Sequence, residues 1–586
     1  DESTGVYIVG FAKIVGDLIA GLYEVMFFFG VSVAVAALFV FIYTRCIRST
    51  LLLVSVAVAG VVWLLGLMSL LGYELDPYSI LVPFLIFAIG LSHGAQKMNG
   101  ILQDVGRGTH KYVAARYTFR RLFVAGLTAL LTNIVGFAVL VIIDIPVIRD
   151  LALTTSIGIS VLIFTKLVLI PVTLSYIGVS PVAARRALAE DTGQKRNVLA
   201  RIWGALDRLT ERRAATVTVV LAVVMTVVCT VVMLDLRIGD LDPGAPELRQ
   251  DSRYNKDGAY ITAHYGLSSD QFVVIMTNPD DGCRLYGTLQ LMDQLAQTLR
   301  ETEGVQATSS LAQSTRFITA ALNEGSGKWL TISRDQGITN AAVGAAMIAT
   351  PDITNTSCAV SPLIAYLADH KADTLNRVLK VSEAFAAKNN SANPKEGPQF
   401  LLAAGSAGVE AATNIEVERG IFLMYLAVYG ATALLCLLTF RSVRATIVAM
   451  IPLVMTTIIC KALMVWMGIG LKVATLPVIA VGVGVGVDYA LYLLSVQITL
   501  QRRGATLAEA YRKSLDFTGR VVALVGLTMA AGVITWAWSP IKFQADMGIL
   551  LTFMFLWNML GALVLIPALS HFLLNPQQTK SHLPTY

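Results

Sequence analysis

Residues 478–494 read VIAVGVGVGVDYALYLL and carry one carboxylate, Asp488, in an otherwise apolar run. An apolar stretch of this length spans a hydrocarbon core of roughly 30 Å as a helix. An acid near the centre of such a helix costs about 2.5–3.5 kcal/mol on insertion scales, so its default reading is a functional site with a partner. The rest of the chain follows the same solvent. Of 586 residues, 55% are hydrophobic and 14% charged, and apolar runs long enough to cross a bilayer recur about eleven times. The expected fold is a polytopic α-helical membrane protein.

The Lys and Arg residues sort the loops into two alternating sets. One holds Arg45, Arg48, Arg107, Lys111, Arg120, Arg121, Arg212, Arg213, Arg441, Arg444, Arg502 and Arg503; the other holds Glu74, Asp76, Asp144 and Asp150. The positive-inside bias places the first set in the cytoplasm. Residues 235–419, the long polar insertion, then face outward. The net charge of +6 is this topology signal and gives no nucleic-acid surface. Cys46, Cys229, Cys436 and Cys460 lie in or beside spans and read as small hydrophobes. Cys283 and Cys358 are the two cysteines of the insertion, where an oxidising compartment favours a disulfide over two free thiols.

The chain repeats itself at a shift of 396 positions, from Arg45 to Arg441, from Gly90 to Gly486 and from Pro171 to Pro567. Both copies keep one membrane orientation, so their symmetry axis runs along the membrane normal. The copies are unequal. Residues 1–24 form a lead-in that resembles the end of an outward domain, and 25–176 hold five spans. Residues 177–213 form a basic cytoplasmic linker, in which 198–213 read as an amphipathic helix on the inner membrane face or else as a solvated linker helix. A single span (214–235), the outward domain (236–418), five further spans (419–573) and a cytoplasmic tail (574–586) complete the second copy. The expectation is that one more span and a first outward domain precede Asp1 in the full protein, giving six spans per half. Within the insertion, 271–276 and 400–404 read as strands and 286–300 and 369–388 as helices, an α/β module of ferredoxin-like kind.

Several stretches resemble the RND superfamily, nearest its MmpL-type and predicted-exporter branch. They are GVGVGVDYALYLL (482–494), Gly526-Leu527-Thr528, Leu565-Ile566-Pro567 and IGDLDPGAPELRQDSRYN (238–255). The resemblance covers essentially the whole chain. It implies two pseudo-repeated six-helix halves, a porter-type domain after the first span of a half, and location in a bacterial inner membrane. It further implies that protons crossing between paired polar residues drive movement of lipids or other hydrophobic molecules. Periplasmic accessory proteins belong to the same expectation. Relatives occur as monomers and as trimers.

At the shift of 396, Asp488 and Tyr489 correspond to Ser92 and His93. Relatives carry Asp-Tyr in both halves, and each acid meets the other half's tyrosine. The crossing here sets Asp488 against His93 and Tyr489 against Ser92, a single asymmetric acid–imidazole pair in a dry interior. Gly482 and Gly486, like Gly90 and Gly94, give small-xxx-small faces expected to bring the two helices together. Lys97 shares a face with His93 and is expected to snorkel to the inner interface, or else to extend the relay. Lys166 interrupts ISVLIFTKLVLIPV, and is expected to pair with the Asp488 cluster or line a water path. Lys461 is expected to snorkel. Asn133, Thr132, Thr528 and Thr535 extend the relay, or the threonines bond their own helices.

The leading function is a proton-coupled secondary transporter, with membrane lipids and protons as its partners. The alternative is a sterol-sensing or receptor-like protein of the same fold that binds lipid without pumping. No cofactor is implied. There is no metal-spaced His/Cys cluster, nucleophile elbow or Walker motif, so neither an enzyme nor ATP drive is expected.

Overall fold

A computed structural model describes residues 5–185, 198–265, 268–393 and 396–574. The tail from 575 and residues 186–197 of the basic linker lie outside them. The chain divides into two compact units, one of residues up to Ile19 with Arg237–Val417, the other of Ala20–Leu236 with Glu418 onward. Among the described residues, eleven helices are long and apolar enough to cross a membrane.

The α/β unit is built on a four-stranded antiparallel sheet. Its strands are β1 (Gln271–Thr277), β2 (Val305–Ser310), β3 (Val360–Leu367) and β4 (Gln399–Ala404), in the order β2-β3-β1-β4. That is the split βαβ order of ferredoxin-like domains. Alternation decides which face is covered: Phe272, Val274 and Met276 of β1 and Leu363, Ala365 and Leu367 of β3 all point into the core. Helices Tyr286–Arg300 and Ala372–Asn389 contribute Leu289, Met292, Leu295, Leu375 and Val378 to the same core. Strand β2, VQATSS, is too polar to be read from sequence and is held by its pairing with β3. Cys283 and Cys358 are joined in a disulfide with Cα atoms 5.3 Å apart.

The lead-in behaves differently from its sequence boundary. Phe11–Thr44 is one continuous helix, and its start belongs to the α/β unit. There Ile14 and Leu18 pack on Ala245, Leu248 and Tyr254, while Tyr7 stacks on Tyr260 at 3.9 Å. The single helix expected over 198–213 is also corrected. The helix Val198–Asp207 passes into a 3-10 turn, Arg208–Thr210, and the next span begins at Arg212. Asp207 is drawn into an ion pair with Arg512 on the helix Leu507–Ser514, and Glu211 is extended.

Within the membrane unit the repeat is visible in backbone irregularities. Arg45 and Arg441 both take left-handed φ, 49° and 50°, at the turns joining matched spans. Pro171 and Pro567 each follow a π-helical stretch, Ile163–Leu169 and Gly561–Leu565. Proline removes a backbone donor and crowds the preceding turn, and widening to π geometry accommodates both effects. The third span (Ser79–Gly106) and the ninth (Val473–Arg502) are 100% and 94% buried over their apolar windows, whereas the sixth (Arg212–Met233) is 0% buried. The two glycine-bearing spans are thus the centre of the bundle.

In the α/β unit His370 is buried, its Nδ1 3.2 Å from Asp270. Burial disfavours its imidazolium, but the hydrogen bond to Asp270 and the charges of Glu410, Asp270 and Asp240 outweigh it and raise its pKa to about 9. This stabilisation is complete below the unfolded value of about 6.5 and is lost as pH rises through about 9. Thermal melting of the protein in detergent should show the unit's stability falling across that window, and His370→Asn should flatten the fall.

Candidate functional site

Asp488 is 2% exposed and His93 is 0% exposed. His93 Nε2 lies 3.3 Å from Asp488 Oδ2, an ion-pair separation that lacks hydrogen-bond alignment. The same oxygen accepts from Asn133 Nδ2 at 3.0 Å, and that amide also donates to the Ala129 carbonyl at 2.9 Å. Three spans therefore meet at one carboxylate: the third through His93, the fourth through Asn133 and the ninth through Asp488. The other ring nitrogen of His93 lies 2.8 Å from the Tyr492 hydroxyl. Tyr492 was not singled out from sequence, although it lies one turn beyond Asp488 on the same helix, four residues on. Asp488 Oδ1 has no hydrogen-bond partner among the described residues.

The crossing expected of Tyr489 is not formed. Its hydroxyl points to Met529 Sδ at 3.8 Å, while Ser92 lines a groove between the first, third and tenth spans. The asymmetry has a local cause, because Ser92 offers no carboxylate to draw the tyrosine across.

The glycines also act otherwise than expected. They do not bring the third and ninth spans face to face. A Cβ on Gly90 would meet Lys166 Cε at 2.8 Å, and one on Gly94 would meet Leu53 and Ile170. One on Gly482 would meet Met554, and one on Gly486 would meet Asn558 at 2.5 Å. Each pair accommodates neighbours in its own half. The close partner of the ninth span is the fourth, where Gly484 admits Asn133 Oδ1, 2.6 Å from its Cβ position. Asn558 Nδ2 donates to the Gly482 carbonyl at 2.8 Å and clamps the same helix from the other side.

Lys97 does not snorkel. It is 1% exposed, and its Nζ lies beside Gly126 together with the Tyr492 hydroxyl. Lys166 is 0% exposed and lies along Gly90, one turn from His93, without reaching Asp488. Neither ammonium has a hydrogen-bond partner among the described residues. Lys461 is half-buried, its Nζ 4.2 Å above the Tyr425 ring. Thr132, Thr528 and Thr535 bond the carbonyls of Ala129, Leu524 and Gly532 on their own helices. No group of three or more His, Cys, Asp or Glu capable of holding a metal occurs among the described residues.

Eleven membrane-long helices, a tandem repeat centred on two buried spans, and a small α/β domain define a multi-pass membrane transporter of the RND type. The MMPL family model matches residues 1–217 and 261–575, and the chain belongs to that family. No curated protein sequence matches it significantly.

Adding a methyl at Gly484 puts an atom 2.6 Å from Asn133 Oδ1, and Asn133 is fixed by two hydrogen bonds. Gly484→Ala should destabilise the protein by about 1–3 kcal/mol, the usual cost of overpacking. Gly430→Ala, where a Cβ meets nothing within 4 Å, should leave the unfolding midpoint in detergent unchanged.

Proposed function

We propose that the protein is a secondary transporter that couples proton movement through Asp488 and His93 to movement of lipids or other hydrophobic molecules. The carrying observation is one carboxylate oxygen shared by His93 and Asn133 in a fully buried site. A carboxylate–imidazole contact exchanges a proton at small cost when its two states are closely balanced, and a helix shift of less than an ångström alters that balance. In this reading Asp488 Oδ2 and His93 Nε2 share the proton. Tyr492, on the far ring nitrogen, passes it toward Lys97, and Asn133 holds the carboxylate in register. Release of the proton removes the bridge between Asp488 and His93 and lets the third and ninth spans part. Loading restores it and draws them together, and the cycle rocks one half of the bundle against the other.

The arginine-rich loops support an orientation with the α/β domain in the periplasm and the C-terminus in the cytoplasm of a bacterial inner membrane. Ser92 and Tyr489 stand beside the relay as packing neighbours of the groove and of Met529. Lys166 supplies a further basic side chain along Gly90, one turn from His93.

Asp488→Asn should abolish substrate flux in proteoliposomes while insertion and melting stay near wild type, and a protonophore should collapse flux in the unmodified protein. Flux that survives both treatments would sink the coupling role. Tyr492→Phe removes only the hydroxyl beyond His93, and should slow flux and shift its pH profile without abolishing substrate binding. Lipid binding with no flux under any gradient would favour the receptor-like alternative.

A further inference from the structure

Between Tyr492 and the arginine-rich end of the bundle lies a small apolar cluster. Leu122, Ala125 and Tyr492 are buried against one another, and half-buried Phe517 packs on them. Leu122 and Ala125 belong to the fourth span, Tyr492 to the ninth and Phe517 to the tenth. Over the Phe517 ring lies the Arg121 guanidinium, 4.3 Å from the centroid, which also pairs with Asp104 at 2.7 Å. Arg121 is 37% exposed. Water thus reaches one side of this cation–π pair, while the apolar cluster fills the other.

The backbone that carries Phe517 is irregular, and the third span holds it. Residues Leu515–Gly519 are π-helical, a form that departs from the α-helical hydrogen-bond ladder and recurs at functional sites. Asn99 Nδ2 donates to the Phe517 carbonyl at 2.8 Å, and Gln103 Nε2 donates to the Asp516 carbonyl at 3.1 Å. The two donors are four residues apart and share a helix face. The first half lacks this arrangement. Aligning Gly126-Leu127-Thr128 on Gly526-Leu527-Thr528 sets Tyr117 against Phe517. Tyr117 is 55% exposed, and its helix, Lys111–Ala138, runs without a π turn. The repeat alone therefore does not demand the setting of Phe517, which occurs in the half that carries the carboxylate.

We propose that Phe517 is the plug that separates the relay from water at the arginine-rich end, and that Asn99 and Gln103 hold it shut. Its use in transport rests on the coupling proposed above, whereas its action as a barrier does not. The third span carries both His93 and the two latch residues. A shift that parts His93 from Asp488 therefore also moves Asn99 and Gln103 against the tenth span. Re-winding of the π stretch to α geometry would then turn the ring off Tyr492. Water would meet the Tyr492 hydroxyl, which lies 2.8 Å from His93 Nδ1.

The test places a thiol behind the plug, in the full chain in detergent. Ala125→Cys puts it one turn deeper than Arg121, inside the apolar cluster, and its reaction with N-ethylmaleimide is followed by peptide mass mapping. Labelling should be slow in that variant and should rise about tenfold or more when Phe517→Ala is added, as for a local opening. Phe517→Leu, which keeps an apolar bulk, should restore slow labelling. Cys436, buried in the seventh span, should stay unlabelled throughout and reports that the variants are folded. Where Phe517→Ala fails that control, Asn99→Ala keeps the ring, removes the donor to its carbonyl, and should raise labelling by a smaller factor. Fast labelling of Ala125→Cys alone, or labelling unmoved by both the plug and the latch substitutions, would overturn the plug. No flux enters the readout, so an inert relay behind a sound plug and a working relay behind none are separate results.

Discussion

The organisation of the bundle depends on how one buried carboxylate is compensated. An isolated charge in a dry interior is prohibitively costly, and it survives only with hydrogen bonds and a counter-group. Asp488 obtains these from two other helices, through Asn133 and His93. Those contacts fix the rotation of three spans about their own axes, because a helix turned by one residue would carry its polar group into lipid or into a neighbour's side chain. The glycine run preceding Asp488 follows from the same requirement. Gly484 must lack a side chain for Asn133 to reach the carboxylate, and Gly482 exposes the carbonyl that Asn558 takes. The run is therefore a set of separate accommodations for different partners, not one packing stripe.

Much of this was legible in the sequence because it depends on period and solvent alone. Spans follow from apolar length, and the repeat from spacing. The contact of Asp488 with His93 follows from superposing the halves and crossing them. The strands of the α/β domain were legible where they alternate, as in QFVVIM, and illegible where pairing alone holds them, as in β2.

The errors have one physical source. Sequence places residues along a helix axis but does not say what lies opposite. Lys97 looked like a snorkelling residue because its long stem can usually reach an interface, yet Gly126 opens a space into which it fits. Gly90, Gly94, Gly482 and Gly486 looked like a mutual contact because small residues at a spacing of four make close approach available. Which neighbour uses that approach is set by the bulk of Lys166, Leu53, Met554 and Asn558. Tyr492 escaped notice because tyrosine in an apolar span is ordinarily read as packing, and only the position of His93 Nδ1 gives its hydroxyl a role.

The asymmetry between the halves constrains how the site can work. The cluster gathers one carboxylate, Asp488, with three basic side chains, His93, Lys97 and Lys166, all buried. A low-dielectric interior tolerates little net charge, so one carboxylate balances one positive charge. Of the three, His93 is the one in direct contact with Asp488 among the described residues, and Tyr492 lies between it and the region of Lys97.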